Sequence, residues 1–429
     1  MIRILLFSIT LTFLLCSCNS EICKQLCIEE GLDNDCCPKI DSTDLFLPAS
    51  SIKEINIFLE TSGSMEGYMP NLEPATNFQK IIPTIIEKIG ILYPNKLNFY
   101  SIFDTKHPFS KLNIPTAREK ILYGKFEWNG NTYIPEMLDS VSRYLDYKSV
   151  NLFISDCIYS PVQEDKKQME MTKTDIWKIV SKNANSFSTT FFCLYSEFIS
   201  EVFPSNNSPY YIVLQGAPQN IRLIESIIYQ SINDAKQEFK EIYFGLKYAR
   251  PYYSVLPYSE TSANFIAMPC SLFNDAFISI QEIDLDQDGN QLKFWLGIDL
   301  KDYPHYVKDI HYLEKNLSIK MDNVPVEILS LQTLPYSGIV RDDQVITNNC
   351  THIFQVRVSD LKSCISKINI SLKYTIPDWK MTQNDSVDEN NREKTYRLTE
   401  LIEGFEQAYC PDNSNEYFFK DLEISLIKK

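Results

Sequence analysis

The chain has 429 residues, which is long enough for two or three domains, and its 44% hydrophobic content is ample for packed cores. It carries 41 Lys and Arg residues against 56 Asp and Glu residues, giving a formal net charge of −15 at pH 7. Such an acidic chain is not expected to bind nucleic acid or to adhere to an anionic surface through charge.

The amino terminus has the pattern of an export signal. After a short basic start, the apolar run Ile4–Leu15 is too short to cross a bilayer as a helix. The sequence Leu-Cys-Ser-Cys that ends at Cys18 resembles the lipobox of bacterial lipoproteins. The resemblance implies a signal peptide over residues 1–17, acylation of Cys18 and anchoring in the cell envelope, with the outer membrane favoured by Asn19. An ordinary signal peptide followed by a chance cysteine is the alternative.

Residues 18–50 are predicted to form a cysteine-bearing tether. Cys23, Cys27, Cys36 and Cys37 cluster within it. In an oxidising compartment we expect them to pair as two disulfides, whose connectivity the sequence does not define. A metal–thiolate site is the alternative, but the spacing of these four cysteines fits no common zinc module.

Residues 51–238 are predicted to form an α/β domain, because strand-like and helix-like patterns alternate along them. Such alternation favours a mostly parallel, Rossmann-like sheet with helices on both faces. Sheets of this kind bind ligands just beyond the carboxyl ends of their strands. The predicted strands are Ile52–Leu59, Leu97–Phe103, Val150–Ile154, Phe191–Tyr195 and Tyr210–Leu214, and helical spacing covers residues 78–89, 135–145, 172–180 and 221–232.

Residues 239–429 are predicted to form a β-rich domain, because apolar and polar residues alternate in several short segments. This pattern favours a β-sandwich, with an immunoglobulin-like arrangement as one candidate. One helix is expected from about Leu398 to Tyr409, before the final strand. The polar segment Thr382–Lys394 is expected to be a mobile loop.

Four side-chain oxygen donors follow predicted strands of the α/β domain, and a fifth lies in the loop before a predicted helix. Glu60, Ser62 and Ser64 come directly after the first strand, Thr132 precedes a predicted helix, and Asp156 follows the strand 150–154. Hard cations such as Mg²⁺ prefer carboxylate and other oxygen ligands. The alternative is that these residues only cap turns and helix starts.

These pieces resemble the metal-ion-dependent adhesion site of von Willebrand factor type A domains, whose pattern is Asp-x-Ser-x-Ser, then a Thr, then an Asp. The resemblance implies one Mg²⁺ or Mn²⁺ ion ligated by Ser62 and Ser64, with Thr132 joining directly or through water. It also implies that Glu60 and Asp156 hold metal-bound waters, and that an Asp or Glu of a protein partner completes the coordination. Tyr68 and Met69, just after the serines, suit either a binding rim or the core.

The sequence departs from the family pattern at Glu60, where the family has Asp, and the longer side chain either reaches the metal directly or crowds it. A metal-free interaction scaffold is therefore one alternative to metal-dependent, non-catalytic binding. The other is a hydrolase acting on cell-surface carbohydrate through the β-rich domain, where Asp342 and Asp343 are adjacent acids. No sequence motif connects a histidine to Ser62 or Ser64 as a general base, so we expect no enzyme activity at the serines.

Overall fold

The computed structural model describes residues 27, 28, 32, 52–102, 109–128, 132–159, 166–245, 248–269, 276–285, 291–322, 324–361, 363–388, 390–410 and 417–428, with the backbone alone for residues 166–172. The described residues divide into two compact units. Those of Leu47–Lys247 and Thr375–Glu416 form one, called here the α/β unit. The rest form the β-rich unit, which includes Tyr248–Tyr374 and the described part of Tyr417–Lys429.

The first part of the α/β unit alternates strands and helices as its sequence pattern predicts. Its strands are β1 (Glu54–Glu60), β2 (Leu97–Ile102), β3 (Ser110–Leu112), β4 (Ser149–Ser155), β5 (Ser188–Phe198), β6 (Ser205–Gly216) and β7 (Phe239–Phe244). Its helices are α1 (Asn77–Leu92), α2 (Ile114–Tyr123), α3 (Ile134–Ser142), α4 (Lys166–Ser181) and α5 (Pro218–Asp234), and a 3₁₀ turn (Gly63–Tyr68) follows β1.

The β-rich unit comes next and contains mostly strands. They are β8 (Tyr253–Leu256), β9 (Asn264–Pro269), β10 (Phe277–Asp284), β11 (Gln291–Ile298), β12 (Leu317–Met321), β13 (Val326–Thr333), β14 (His352–Ser359) and β15 (Ile365–Lys373), with short helices α6 (Ile310–Asn316) and α7 (Gln344–Thr347). The chain then returns to the α/β unit for α8 (Trp379–Thr382), β16 (Asn384–Asp385), β17 (Thr395–Tyr396) and α9 (Leu398–Tyr409), and ends in the β-rich unit with β18 (Tyr417–Lys428).

The described strands of the α/β unit form a seven-stranded mixed sheet in the order β3-β2-β1-β4-β6-β5-β7. The central strand β1 pairs in parallel with β2 and with β4. The other pairings are antiparallel, so the predicted parallel arrangement holds only for these three strands. For β5 and β6 the reason is their short connection, which allows only an antiparallel hairpin.

A ladder of three asparagines crosses the parallel strands at one level. Asn56 on β1 is in register with Asn98 on β2 and Asn151 on β4. The Asn56 amide donates to Asn151 Oδ1 (3.1 Å), and the Asn98 amide donates to Asn56 Oδ1 (3.1 Å). Asn151 in turn donates to the carbonyl of Val141 at the end of α3 (2.9 Å). Because Asn56 and Asn151 are fully buried, these bonds fix the strands against slipping past one another.

Two buried residues before α1, Tyr68 and Thr76, are joined by a hydrogen bond. Thr76 caps α1 through a capping box with Gln79, and its hydroxyl also donates to the carbonyl of Tyr68 (2.6 Å). The Tyr68 hydroxyl donates to the carbonyl of Pro209 at 2.6 Å. Tyr68 and Met69 are each only 1% exposed, so they belong to the core and not to a binding rim.

The described residues of 375–416 belong to the α/β unit, which corrects the predicted domain boundaries of 51–238 and 239–429. Strand β7 is the edge strand of this sheet, although it lies beyond residue 238. The helix predicted at 398–409 is α9, and it belongs to the α/β unit and not to the β-rich one. Its Phe405 ring lies 4.8 Å from that of Phe191 on β5 and 5.7 Å from that of Phe244 on β7. An apolar helix face therefore covers these two strands from a distant part of the sequence.

The segment Thr382–Lys394 is predicted to be a mobile loop. In the structure, its described residues are instead held in the α/β unit by hydrogen bonds. Strands β16 and β17 pair in parallel, and the Thr395 amide donates to the carbonyl of Gln383 (2.8 Å). The side chain of Asp385 accepts from the amides of Val387 and Asp388. These turn bonds hold a segment whose polar composition alone favours mobility.

The described strands of the β-rich unit form two sheets, in the orders β12-β15-β18-β10-β9 and β13-β14-β11-β8. All of these pairings are antiparallel except that between β10 and β18. In the predicted tether, Cys27 and Leu32 are fully buried against Ile427 of β18, so part of it packs on this unit.

We predict that Asn56→Ala lowers the free energy of unfolding by about 1–3 kcal/mol, because it leaves the buried Asn151 Oδ1 without its donor. The measurement is urea denaturation followed by circular dichroism. Asn98→Ala removes an amide from the half-buried end of the same ladder and is expected to cost less. Equal losses in the two variants would contradict the ladder's role.

Candidate functional site

The two predicted carboxylates lie side by side at one edge of the α/β sheet. Glu60 is the last residue of β1, and Asp156 directly follows β4. These strands are parallel neighbours with Leu59 opposite Ile154, so their carboxyl ends meet at the same edge. Both side chains are essentially buried (Glu60 and Asp156 are each 0% exposed), although carboxylates are almost never buried without compensation.

Hydroxyl groups from two other elements hold Glu60 in place. Thr132, just before α3, donates its Oγ1 hydrogen to Glu60 Oε1 at 3.0 Å. Ser155, at the end of β4, donates to the other carboxylate oxygen, Oε2. Each carboxylate oxygen of Glu60 therefore accepts one hydroxyl hydrogen bond. The glutamate side chain is one methylene longer than that of aspartate, and this length lets it contact both hydroxyls. The Glu60 side chain is a fixed part of this edge.

The serines complete the predicted set. Ser62 and Ser64 lie at the 3₁₀ turn after β1, with their Oγ atoms 2.9 Å apart. Ser62 lies near enough to Glu60, and Ser64 to Asp156, to lower the pKa of each carboxyl. All five residues selected from the sequence therefore lie together, and this group is called here the carboxylate edge.

The electrostatics of the carboxylate edge are unfavourable for two negative charges. Burial, reinforced by the nearby Asp156, raises the pKa of Glu60 to about 8, although its bonds to Ser155, Ser62 and Thr132 act in the opposite direction. Burial also raises the pKa of Asp156, against the effect of Arg392. Two like charges in a dry site each favour protonation of the other unless a cation is present.

Asp156 has one oxygen in use and one oxygen unused. Its Oδ1 accepts from the amide of Ile158 at 3.1 Å. Its Oδ2 is buried and has no hydrogen-bond partner among the described residues. A buried carboxylate oxygen without a partner is costly, and it marks a position where a cation or a donor fits.

Sequence reasoning did not find Arg392, the cationic side chain at this edge. Its Nη1 lies 3.9 Å from Asp156 Oδ2, and its side chain is only 14% exposed. The guanidinium lies over the ring of Phe198, 4.6 Å from the centroid. No local signal pointed to it, because Arg392 is distant in sequence and lies in a segment expected to be mobile.

Ser155 was also missed, although the sequence holds a signal for it. Glu60 follows Leu59, and Ser155 follows Ile154, which is the residue opposite Leu59. Placing the two strands in register therefore puts Ser155 beside Glu60. The rest of the loop before Thr132, Asn129 to Asn131, lies outside the described residues.

The other predicted site residues are only partly described. Cys27 is disulfide-bonded. The predicted lipid-attachment residue Cys18, together with Cys23, Cys36 and Cys37, lies outside the described residues. In the β-rich unit Asp342 is exposed, whereas Asp343 is buried and accepts a hydrogen bond from Ser259 at 2.5 Å. Asp342 and Asp343 are adjacent on a 3₁₀ turn (Arg341–Asp343) and do not resemble two carboxylates facing one substrate.

In the described part of the chain, no three His, Cys, Asp or Glu side chains are grouped so that they could hold a metal. An ion at the carboxylate edge would therefore depend on hydroxyl oxygens as well as on Glu60 and Asp156. Among the helices of the described residues, none has the length and apolar character needed to cross a membrane.

The chain matches no protein-family model, no curated protein and no solved structure. Its function must therefore be inferred from its own residues and their arrangement.

We predict that, in the presence of a chelator, the protein loses stability as the pH rises from about 5 to 8. The folded state raises the pKa of Glu60 from its ordinary 4.5 to about 8, so it favours the protonated form. The resulting stabilisation is complete below pH 4.5 and is lost as the pH rises through that window. Glu60→Gln keeps a neutral side chain and is expected to remove most of this pH dependence, which is worth about 1.4 kcal/mol for each pH unit of the window.

The measurement is thermal melting of both proteins across this pH range, with Asp139→Asn as a control for a carboxylate outside the edge. Parallel profiles for the wild type and Glu60→Gln would contradict the prediction.

Proposed function

We propose that the chain is an exported, membrane-anchored binding protein with a von Willebrand factor type A-like domain, and that it binds a protein partner through a divalent cation at the carboxylate edge. The observation that carries this proposal is the convergence of Glu60, Ser62, Ser64, Thr132 and Asp156 at one buried strand end. We propose no catalytic role for these residues.

The donor chemistry at the carboxylate edge fits Mg²⁺ or Mn²⁺. All five side chains offer oxygen atoms, from carboxylates or hydroxyls, and these hard cations prefer oxygen ligands. Thr132 already gives its hydroxyl hydrogen to Glu60, and a hydroxyl that donates in this way keeps its lone pairs for an ion. The Oδ2 atom of Asp156, which has no hydrogen-bond partner among the described residues, is a further negatively charged oxygen that could ligate the ion.

The charges also favour a divalent cation. Glu60 and Asp156 are buried together, and each destabilises the ionised form of the other. A dication offsets both charges, and Mg²⁺ usually keeps some positions for water or for a ligand. Ser62, Ser64 and Thr132 would hold the ion, with Glu60 and Asp156 balancing its charge directly or through water.

The partner is then expected to present an Asp or Glu. Bound at this edge, the ion would supply positive charge with an open coordination position, which an acid from another protein suits. Three exposed apolar side chains follow Phe198 closely in the sequence, namely Ile199, Val202 and Phe203. The backbone there is tied to the turn of the edge, because the Ile199 amide donates to the carbonyl of Gly67 at 2.8 Å. Apolar contacts around a central charged contact are typical of protein interfaces.

A metal-free interaction scaffold is the second candidate, and Arg392 is the observation that favours it. Its guanidinium already lies near Asp156, so a cation is present at the edge without any metal. Under this alternative the protein binds its partner through the same surface, but without dependence on divalent ions.

We predict that Mg²⁺ or Mn²⁺ raises the melting temperature of the protein. A ligand of the native state at 100 times its Kd adds about 2.7 kcal/mol to the free energy of unfolding, which corresponds to a rise of several degrees. Asp156→Asn and Ser62→Ala are expected to abolish the rise, and Asp139→Asn is expected to retain it. The measurement is differential scanning calorimetry with and without the ion, after removal of metals by chelation.

The same titration on Glu60→Asp separates the two candidates. Because Glu60 reaches both Thr132 and Ser155, the shorter side chain is expected to lose one of these contacts and to weaken metal binding. A gain of metal binding in Glu60→Asp would instead indicate that glutamate has disabled the site. No response to either ion in the wild type would favour the metal-free scaffold.

A further inference from the structure

Arg392 and Asp156 form an incomplete ion pair at the carboxylate edge. Arg392 Nη1 and Asp156 Oδ2 are 3.9 Å apart, which is within range of an ion pair but too far for a hydrogen bond. Among the described residues, neither Asp156 Oδ2 nor the Nε and Nη1 atoms of Arg392 have a hydrogen-bond partner. Three buried polar atoms of this pair are thus left without hydrogen bonds among the described residues, and Asp156 Oδ2 and Arg392 Nη1 would gain from a closer approach or from another ligand.

Arg392 reaches the edge from a segment that is held on both sides. Before it, the side-chain amide of Asn391 donates to Asp385 Oδ2 at 2.8 Å. After it, the amide of Arg397 donates to the carbonyl of Asp385 at 2.9 Å. Thr395 Oγ1 lies 2.9 Å from the Tyr211 hydroxyl. The arginine is therefore delivered to Asp156 by an anchored turn and not by a free chain.

The guanidinium of Arg392 also packs on an aromatic ring. It lies 4.6 Å from the centroid of the Phe198 ring, a cation–π distance. That ring occupies the space beside Gly67, where a Cβ atom would meet the ring carbons at 2.5 Å. The absence of a side chain at Gly67 lets Phe198 lie close to the 3₁₀ turn that carries Ser64. The cationic group is thus positioned on the same side of the sheet as the serine hydroxyls.

We propose that Arg392 is the resident cation of the carboxylate edge, and that it competes with a divalent ion for Asp156. Its positive charge compensates Asp156 when no metal is bound, and the ion must displace it from that carboxylate to gain full affinity. The inference rests on the proposed function, since it identifies what controls cation binding at the same site.

Arg397 provides a matched comparison within the same segment. It is more buried than Arg392, with 7% of its surface exposed. Its guanidinium lies over the rings of Tyr396 (4.7 Å) and Tyr159 (6.0 Å). In the described residues it forms no ion pair with Glu60 or Asp156, so its replacement removes an equivalent charge without opening the edge.

The first test is titration of the full chain with Mg²⁺ and with Mn²⁺ by isothermal calorimetry, for the wild type, Arg392→Gln and Arg397→Gln. Arg392→Gln is expected to bind each ion at least about fivefold more tightly than the wild type, the lower end of typical coupling between two sites. Arg397→Gln is expected to bind them as the wild type does. Unchanged or weaker binding in Arg392→Gln would overturn the competition.

The second test needs no metal and uses a double-mutant cycle on melting temperature in the presence of a chelator. Asp156→Asn is expected to lower the melting temperature of the wild type, because it removes the partner of Arg392, but to raise it in the Arg392→Gln background. Additive effects of the two changes would overturn the counter-ion role.

The two tests separate the inference from the proposed function. If neither the wild type nor Arg392→Gln binds an ion, the metal-dependent function fails and the competition fails with it. The double-mutant cycle still decides whether Arg392 compensates Asp156. Binding by Arg392→Gln alone would support the competition most strongly.

Discussion

Two carboxylates buried side by side at the ends of β1 and β4 are the constraint on which the rest of this site depends. Removing Glu60 and Asp156 from water is expensive, and their mutual repulsion adds to the cost. The surroundings offset part of it through hydroxyl donors, which approach Glu60 from Thr132 and Ser155. Hydroxyl groups carry no net charge, so the negative charge of the pair still requires either protons or a cation.

The architecture explains why this charge collects at one place. A parallel pair of strands brings two chain segments that are distant in sequence to the same edge, and the asparagine ladder through Asn56 fixes their register. Tyr211 of β6 lies opposite Ser155 at the end of β4, and Phe198 is the last residue of β5. The returning segment around Arg392 then packs on these residues. A site assembled from so many separate segments needs a rigid sheet beneath it.

Much of the α/β unit follows from sequence patterns, because apolar periodicity reports directly on burial. The helix expected at 398–409 has those bounds in the structure. The four oxygen donors predicted to follow strands lie together, and Thr132 joins them from the loop before α3. The direction of β6 was predictable too, since no helical pattern separates it from β5. Its antiparallel pairing follows from that short connection.

The remainder depends on long-range contacts that leave no local signal. The returning segment is polar, so its composition predicts mobility, yet Asp385 and Thr395 hold it by specific hydrogen bonds. In the sequence, nothing distinguishes Arg392 from the other Lys and Arg residues. Only the folded structure shows that it lies beside Asp156. Helix α9 likewise lies in the α/β unit because Phe405 packs against Phe191 of β5. The amphipathic pattern of a helix predicts that one face is buried, but it does not identify the surface that buries it.

The most direct test of the central claim is a crystal structure of the full chain grown with Mn²⁺, with anomalous diffraction recorded at the manganese edge. The account predicts one anomalous peak at the oxygens of Ser62, Ser64 and Asp156, with the Arg392 guanidinium moved away from Asp156. A map without a peak there at saturating Mn²⁺, with Arg392 bound directly to Asp156, would contradict it.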